Sequence, residues 1–397
     1  MIRALLLDLD DTLLQTNLER FLPAYMTRLA GSLADRWPPE VVLSALNEAT
    51  GRMIRNLDPT RTLKEAFDAH FYPALGADES DLRQTVAAFY RDSYPQLAEL
   101  VAPVPGGPEL VQAALAADME VVVATNPLFP QTAIDQRLAW AGFDMTNPPF
   151  ALVTAYEHMH FAKPQPAYVA EILGLLGVPP QAAAFIGDHP TNDLAPSRAL
   201  GLATFQVGED LPDGQPGGTL VEAAAWLTDQ AAEQVDSAAA RQPVAVLARM
   251  RGHLAALLSL TAELDQPFWR QRPAPREWAP VEIVCHLRDT ELEVNLTRLR
   301  RMLAETAPFV SAADPDQWAE ARDYLAQDPA QALAAFKDAR QRTIALLANL
   351  DDDQWRAPAR HALLGPTTLT EIMGVATDHD LLHLDQLRRT LSQTAPG

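Results

Sequence analysis

The residues best equipped for chemistry are acidic and stand where apolar runs end. Leu7-Asp8-Leu9-Asp10-Asp11-Thr12-Leu13 closes the first such run with three carboxylates. Alternation along a strand sends Asp8 and Asp10 to one side, where like charges repel unless a cation or a shared proton relieves them. Further on, Val121–Ala124 runs into Thr125-Asn126, which offers a hydroxyl and an amide. Phe161-Ala162-Lys163-Pro164 sets an ammonium before a proline, and Gly187-Asp188-His189-Pro190-Thr191-Asn192-Asp193 adds two carboxylates. Such oxygen donors suit Mg²⁺, which takes octahedral coordination and commonly shares it with a substrate phosphate.

A second constellation is built from nitrogen. His379 and His383 are one helical turn apart on one face, and His286 stands on a separate helical pattern beginning Trp278-Ala279-Pro280. Three neutral imidazoles hold one transition metal and leave a position open for water. Zn²⁺ is the first expectation; Ni²⁺ and Fe²⁺ accept the same ligands. Asp289 and Gln386, each three residues beyond an expected ligand, are candidates to support the histidines.

These groups need elements to position them. Short apolar runs at Ala4–Leu9, Val121–Ala124, Ala151–Thr154, Ala183–Ile186 and Thr204–Val207 read as strands buried on both faces of a parallel sheet. Helical patterns such as Pro108–Ala117 and Pro130–Ala141 lie between them, as βαβ units require. Ligands of such doubly wound sheets bind beyond the carboxyl ends of the strands, where the acidic and hydroxyl residues stand. From Thr16 to about Val101 the pattern is helical throughout, which predicts an inserted helical cap. Residues 211–218 are turn-rich, Thr219–Asp229 reads as a helix, and a polar, Ala-rich stretch precedes Pro243. The expected organisation is an α/β domain over 1–229 (core 1–15 and 101–229, cap 16–100), a linker over 230–242, and an all-α domain over 243–397. The last shows no strand pattern and four long helices, Val244–Leu264, Pro280–Ala304, Pro329–Leu350 and Thr367–Leu391, which predicts a four-helix bundle.

Composition narrows the partners. The 397 residues carry 52 acidic and 31 basic side chains, a net charge of −21. A surface so negative repels nucleic-acid phosphate and anionic lipid, so neither nucleic acid nor membrane is expected as a partner. The single cysteine, Cys285, excludes an internal disulfide and reads as a packed core thiol. No window is expected to reach transmembrane length, and a cytoplasmic location is the default expectation.

Taken together, Asp-x-Asp-x-Thr, the strand-end Thr125, Lys163 and Gly-Asp-x₄-Asp resemble, in order, the four motifs of the haloacid dehalogenase-like superfamily over residues 1 to about 229. The long helical insertion resembles that family's cap. The resemblance implies that Asp8 is a nucleophile forming an aspartyl-phosphate, and that Asp10 protonates the leaving oxygen and later deprotonates water. It implies Mg²⁺ held by Asp8, the Asp10 backbone carbonyl and Asp188, with Asp193 supporting them. Thr125, Lys163 and nearby N–H groups would cradle the phosphoryl oxygens, with Asn126 either touching substrate or shaping the turn. Dehalogenating members lack the second aspartate, so Asp10 implies ester hydrolysis, with a small phosphorylated metabolite as substrate. Residues 243–392 resemble the DinB-like family of metal-binding bundles, through His286 after its Trp-x-Pro start and through His-Asp-x₂-His. Some members of that family are thiol-dependent transferases or isomerases. The bundle is therefore expected either to bind metal for such chemistry or to serve as a non-catalytic binding or homodimerising module. His158, His160 and His189 read as loop residues, His253 and His361 as structural ones. Arg20, Tyr25, Arg52 and Arg55 are cap positions able to meet a substrate tail.

Overall fold

The computed structural model describes residues 1–209, 211, 214–229, 231–312 and 317–394. Positions 212 and 213 of the turn-rich stretch, 230 of the expected linker and the last three residues of the expected bundle domain lie outside them. The chain divides into two compact units, Met1–Tyr168 with Pro180–Asp236, and Val169–Pro179 with Ser237–Gly397.

In the first unit, β1 (Ala4–Leu7) is the centre of a parallel sheet, and all four of its residues are buried. A small antiparallel ribbon, β2 (Leu14–Gln15) with β3 (Ala102–Pro103), marks where the cap leaves and rejoins the core. The sheet proper continues with β4 (Glu120–Val123), β5 (Leu152–Val153), β6 (Ala183–Gly187), β7 (Ala203–Val207) and β8 (Gly217–Gly218), in the order β5-β4-β1-β6-β7-β8. This is the expected doubly wound α/β fold. The strand β8 was not expected: two glycines carry no apolar signal, and they pair through backbone alone with Gln206 and Val207.

The cap is helical, as expected, with α1 (Leu18–Ser32), α2 (Pro39–Ile54), α3 (Leu63–Leu75) and α4 (Glu79–Ala88) around an aromatic core of Phe21, Phe71, Phe89, Tyr90 and Tyr94. A Thr62–Glu65 capping box starts α3. The helices beside the sheet are α5 (Gly107–Ala116), α6 (Gln131–Trp140), α8 (Ala195–Ala199) and α9 (Leu220–Asp229), while α7 (Pro166–Leu176) begins in this unit and from Val169 is counted with the second.

The second unit carries the four expected long helical segments. These are α10 (Pro243–Thr261); α11 (Pro280–Asp289), continued through a π-helical turn at Thr290–Asn295 into α12 (Leu296–Ala304); and, after the short α13 (Trp318–Ala321), α14 (Pro329–Leu347). Beyond the short α15 (Asp352–Trp355) comes α16 (Leu369–Thr394). Two expectations fail here. The unit is not strand-free: β9 (Phe309–Val310), β10 (Pro358–His361) and β11 (Gly365–Thr368) form a small sheet in which β10 and β11 make a hairpin. Each hairpin strand buries a single residue, Ala359 or Thr367, so no apolar alternation betrays it. Thr367 and Thr368 belong to that hairpin and not to the last helix. And α10 is long and apolar enough to cross a membrane by length and composition, but 67% of its apolar window is buried inside the protein, as befits the core helix of a bundle.

Candidate active site and candidate metal centre

The sheet register builds the first site. Leu7 pairs with Val123 on one side and Ile186 on the other, so the next residues of three strands, Asp8, Ala124 and Gly187, emerge at one edge. Asp8 N donates to the Ile186 carbonyl at 3.0 Å and Ala124 N to the Leu7 carbonyl at 2.6 Å, which carries the pairing right to that edge. The first loop is tied across it, since Thr12 Oγ1 accepts from Asp188 N at 3.0 Å.

At this edge the Lys163 ammonium donates to Asp8 Oδ1 and to Asp193 Oδ1, each at 2.6 Å. Carboxylate oxygens of Asp8, Asp188 and Asp193 lie within 4.8 Å of one another. Three acids thus crowd together while one ammonium pairs with two of them. Burial, with Asp193 adding repulsion, outweighs Lys163 and pushes the Asp8 carboxyl up to about 6. Burial, then Asp8 and Asp193, push Asp188 up to about 7. For Lys163 burial acts the other way, but Asp193 and Asp8 outweigh it and hold the ammonium above the usual lysine value. Gly187 is required by this packing: a Cβ there would lie 2.5 Å from Asp193 Oδ2.

Thr125 is 1% exposed, and its hydroxyl has no hydrogen-bond partner among the described residues. Its carbonyl is held by Tyr168 at 2.6 Å. Asn126 Oδ1 accepts from Lys163 N at 3.3 Å, so Asn126 links the Thr125 and Lys163 loops.

Asp10 departs from expectation. The strand ends at Leu7, so alternation does not carry on to Asp10, and its carboxylate does not join the Asp8, Asp188 and Asp193 group. It instead ion-pairs with Arg137 and accepts from Thr16 Oγ1 at 2.6 Å. The ligand atom expected of Asp10 is its backbone carbonyl, and the placement of its carboxylate leaves that expectation as it was. Arg137 was missed. It is fully buried, with its guanidinium 5.2 Å from the Phe129 ring centre and 5.4 Å from that of Phe21. Burial lowers its pKa to about 10, against the pull of Asp8. One signal could have found it: Arg137 shares a helical face with the apolar Ala133, Ile134 and Ala141.

The remaining candidates of this unit have local roles. His189 Nδ1 accepts from Thr191 N and Asn192 N, capping the turn that presents Asp193. His158 Nε2 bonds the Val153 carbonyl at 3.0 Å, and the carbonyl of buried His160 accepts from Asn56 at 2.8 Å. Tyr25 turns into the cap's aromatic cluster, its hydroxyl 2.9 Å from that of Tyr90, while Arg20, Arg52 and Arg55 are exposed.

The second site joins α11 to α16. His286 is fully buried, and its Nε2 lies 3.0 Å from His379 Nε2, which lies 3.2 Å from His383 Nε2. Tetrahedral coordination with Zn–N near 2.05 Å puts ligand nitrogens roughly 3.3 Å apart. The spacing therefore fits a metal bound through three Nε2 atoms. Gln386 Oε1 lies 2.9 Å from His383 Nδ1, the partner that places the proton there and leaves the Nε2 lone pair free to ligate. The Trp278 ring stacks on His383, centroids 5.8 Å apart and planes within 9°.

Asp289 does not join this site. It pairs with Arg288 and Arg322, both at 2.6 Å, and with Tyr324 at 2.8 Å. Instead the acids beside His379 hold the helix in place. Asp378 binds Arg249 of α10 at 2.6 Å, and Asp380 binds Arg340 of α14 at 2.7 Å. Arg340 also binds Glu291 at 2.8 Å, and the exposure of both side chains is zero. This buried network was missed in sequence, although Arg340 shares a helical face with the apolar Phe336, Ile344 and Leu347. His253 sits 3.8 Å from Asp380, His361 caps the β10–β11 hairpin, and Cys285 is a buried thiol that burial pushes up to about 11.

Comparison with known proteins gives two family matches. The model of the haloacid dehalogenase-like hydrolases matches residues 2–201, about half the chain, and that of the DinB superfamily matches residues 249–387. YfiT of Bacillus subtilis, described as a metal-dependent hydrolase, is 27% identical over 134 residues, 33% of this chain and 72% of that protein. Its solved structure, a four-helix bundle of unusual topology, covers 40% of this chain and 90% of its own at 21% identity and a TM-score of 0.35. A 2-haloacid dehalogenase from Pseudomonas syringae covers 57% of this chain and 98% of its own (23% identity, TM-score 0.41). A phosphatase of the same superfamily from Thermococcus onnurineus covers 58% and 100% (17%, 0.38).

Proposed function

We propose, from the premise that this chain belongs to the haloacid dehalogenase-like hydrolase family, that its first unit hydrolyses a small phosphomonoester with Mg²⁺ through an aspartyl-phosphate on Asp8. One observation carries the reading: the carboxylates of Asp8, Asp188 and Asp193 converge within 4.8 Å of one another, with a single ammonium, Lys163, paired to two of them. That excess of negative charge at a strand edge calls for a divalent cation, and oxygen donors select Mg²⁺. Held by Asp8, the Asp10 carbonyl and Asp188, Mg²⁺ would supply positive charge that offsets the negative charge of the transferring phosphoryl group.

The chain's own residues do the rest. Asp8 attacks phosphorus, and the bond to the ester oxygen breaks. Lys163 holds the Asp8 carboxylate in place and neutralises charge on the transferring group. The buried Thr125 hydroxyl is available to a phosphoryl oxygen. Asp10 carries the proton, first to the leaving oxygen and then from the water that attacks the aspartyl-phosphate. Arg137 and the Thr16 hydroxyl hold the Asp10 carboxyl in place for both transfers.

The test is release of inorganic phosphate from 4-nitrophenyl phosphate. Mg²⁺ should support it, a chelator should stop it, and Asp8→Asn should remove it; a rate untouched by Asp8→Asn would refute the reading.

The convergence of three Nε2 atoms favours a second reading for the bundle, a metal centre for Zn²⁺, with Ni²⁺ or Fe²⁺ as other occupants. Such a metal activates water for hydrolysis, or a thiol for transfer. Metal analysis of the full chain before and after His383→Ala tests it: one equivalent lost with the substitution supports the centre, and no transition metal in either protein removes it.

A further inference from the structure

Beside His379, between α16 and the π-helical turn that follows α11, lies a pocket of about 240 Å³. Its walls are apolar: Val294, Ile372 and Ala376 are buried, while Leu363, Leu364 and Val375 are 80%, 48% and 49% exposed. Leu363 and Leu364 form the tip of the β10–β11 hairpin, which His361 holds by accepting from both backbone N–H groups at 3.2 and 3.3 Å. Exposed aliphatic side chains gathered around one cavity mark a binding site far more than scattered ones do.

One charge enters this wall. Arg298 lines the pocket, half-buried, and its single hydrogen bond runs from Nη2 to the Ser311 carbonyl at 2.7 Å. Among the described residues no carboxylate pairs with it, although the chain carries 52 acidic side chains against 31 basic ones. The two arginines of this unit that are buried outright, Arg249 and Arg340, are each matched to an acid. A guanidinium in an apolar wall with no counter-ion among the described residues is a candidate anion receptor.

We propose that this pocket binds a small organic carboxylate, its apolar body against Val294, Leu364, Ile372 and Val375, its carboxylate on Arg298, and its reactive end toward His379. An apolar cavity of about 150 Å³ holds benzene, so this one takes an aryl or branched alkyl group with a short chain. The ligand class is set by the pocket alone. Its role as substrate rests on the metal reading of the three histidines, and the experiment separates the two.

Calorimetry on the full-length chain compares 4-phenylbutyrate with the neutral 4-phenylbutan-1-ol. The carboxylate should bind at least tenfold tighter. Arg298→Gln should erase that preference while the alcohol binds as before, and Ala376→Trp should abolish binding of both. Equal affinities in the wild-type chain, or a preference that survives Arg298→Gln, would overturn the anion assignment; no binding of either probe would overturn the pocket. Co²⁺ then replaces the metal at the histidines, and its visible spectrum is followed as 4-phenylbutyrate is added. A change lost in Arg298→Gln joins pocket to metal. A Co²⁺ spectrum that does not respond overturns the substrate role. If no metal binds but the carboxylate does, the metal reading fails and the receptor stands.

Discussion

The two candidate sites solve opposite electrostatic problems. At the sheet edge, Asp8, Asp188 and Asp193 crowd one ammonium, and burial pushes two of the acids up to about 6 and 7. In the bundle the candidate ligands are imidazoles that bind metal when neutral, and the charges nearby are already matched, acid to arginine, in a buried frame. The first arrangement carries an excess of negative charge; the second is a framework whose imidazole nitrogens stand about 3 Å apart. The difference follows from the elements. Parallel strands bring distant loops to one edge, where only charge decides what stays. Packed helices fix side chains by rotation, which the flanking ion pairs lock.

If the comparison is right, each site fails by itself. Asp8→Asn should lower phosphate release by on the order of a thousandfold, since it removes the nucleophile. The transition-metal content of the chain should not change; a loss of both would break the separation. Arg340→Ala should strip the frame of its central cation and leave Glu291 and Asp380 buried and unpaired. The expected cost is about 3–5 kcal/mol, read by urea unfolding. A cost near zero would mean that the network does not hold α16. Gln386→Ala frees His383 Nδ1 and should weaken Zn²⁺ binding about 10- to 100-fold by competition with a chromophoric chelator, with phosphate release unaffected.

The smallest effect sharpens the sheet-edge side. Asp8 and Asp188 have raised pKa values, so each favours the fold most below its ordinary value of 3.8, and that contribution is lost as pH rises through about 6 and 7. A cation binds the deprotonated forms. Mg²⁺ should therefore raise the melting midpoint by a few degrees near pH 8 and by roughly nothing near pH 5. Equal shifts at both would place the bound ion elsewhere.

How much of this could be read from sequence depended on whether a residue's environment is local. Asp8, Thr125, Lys163, Asp188 and Asp193 each end or follow an apolar run, and a parallel sheet has one edge for such ends. His379 and His383 share a face by spacing alone. Arg137 and Arg340 are different: their tertiary partners, Asp10 in one case and Glu291 and Asp380 in the other, are what allow burial, and the apolar helical face each shares is the one local sign of it. Asp10 was misjudged because alternation was carried past the point where the strand ends. Asp289 shares a helix with His286, but its neighbour Arg288 and the distant Arg322 and Tyr324 draw it away. The β10–β11 hairpin buries one side chain per strand, too little to write a pattern.

The central claim is that Asp8, Asp188 and Asp193 gather around a divalent ion. Crystals of the full chain soaked in Mn²⁺, measured at the manganese edge, test it directly. The account predicts an anomalous peak about 2.2 Å from carboxylate oxygens of Asp8 and Asp188. A map with manganese only at the histidines, or with those carboxylates turned away from any peak, would contradict it.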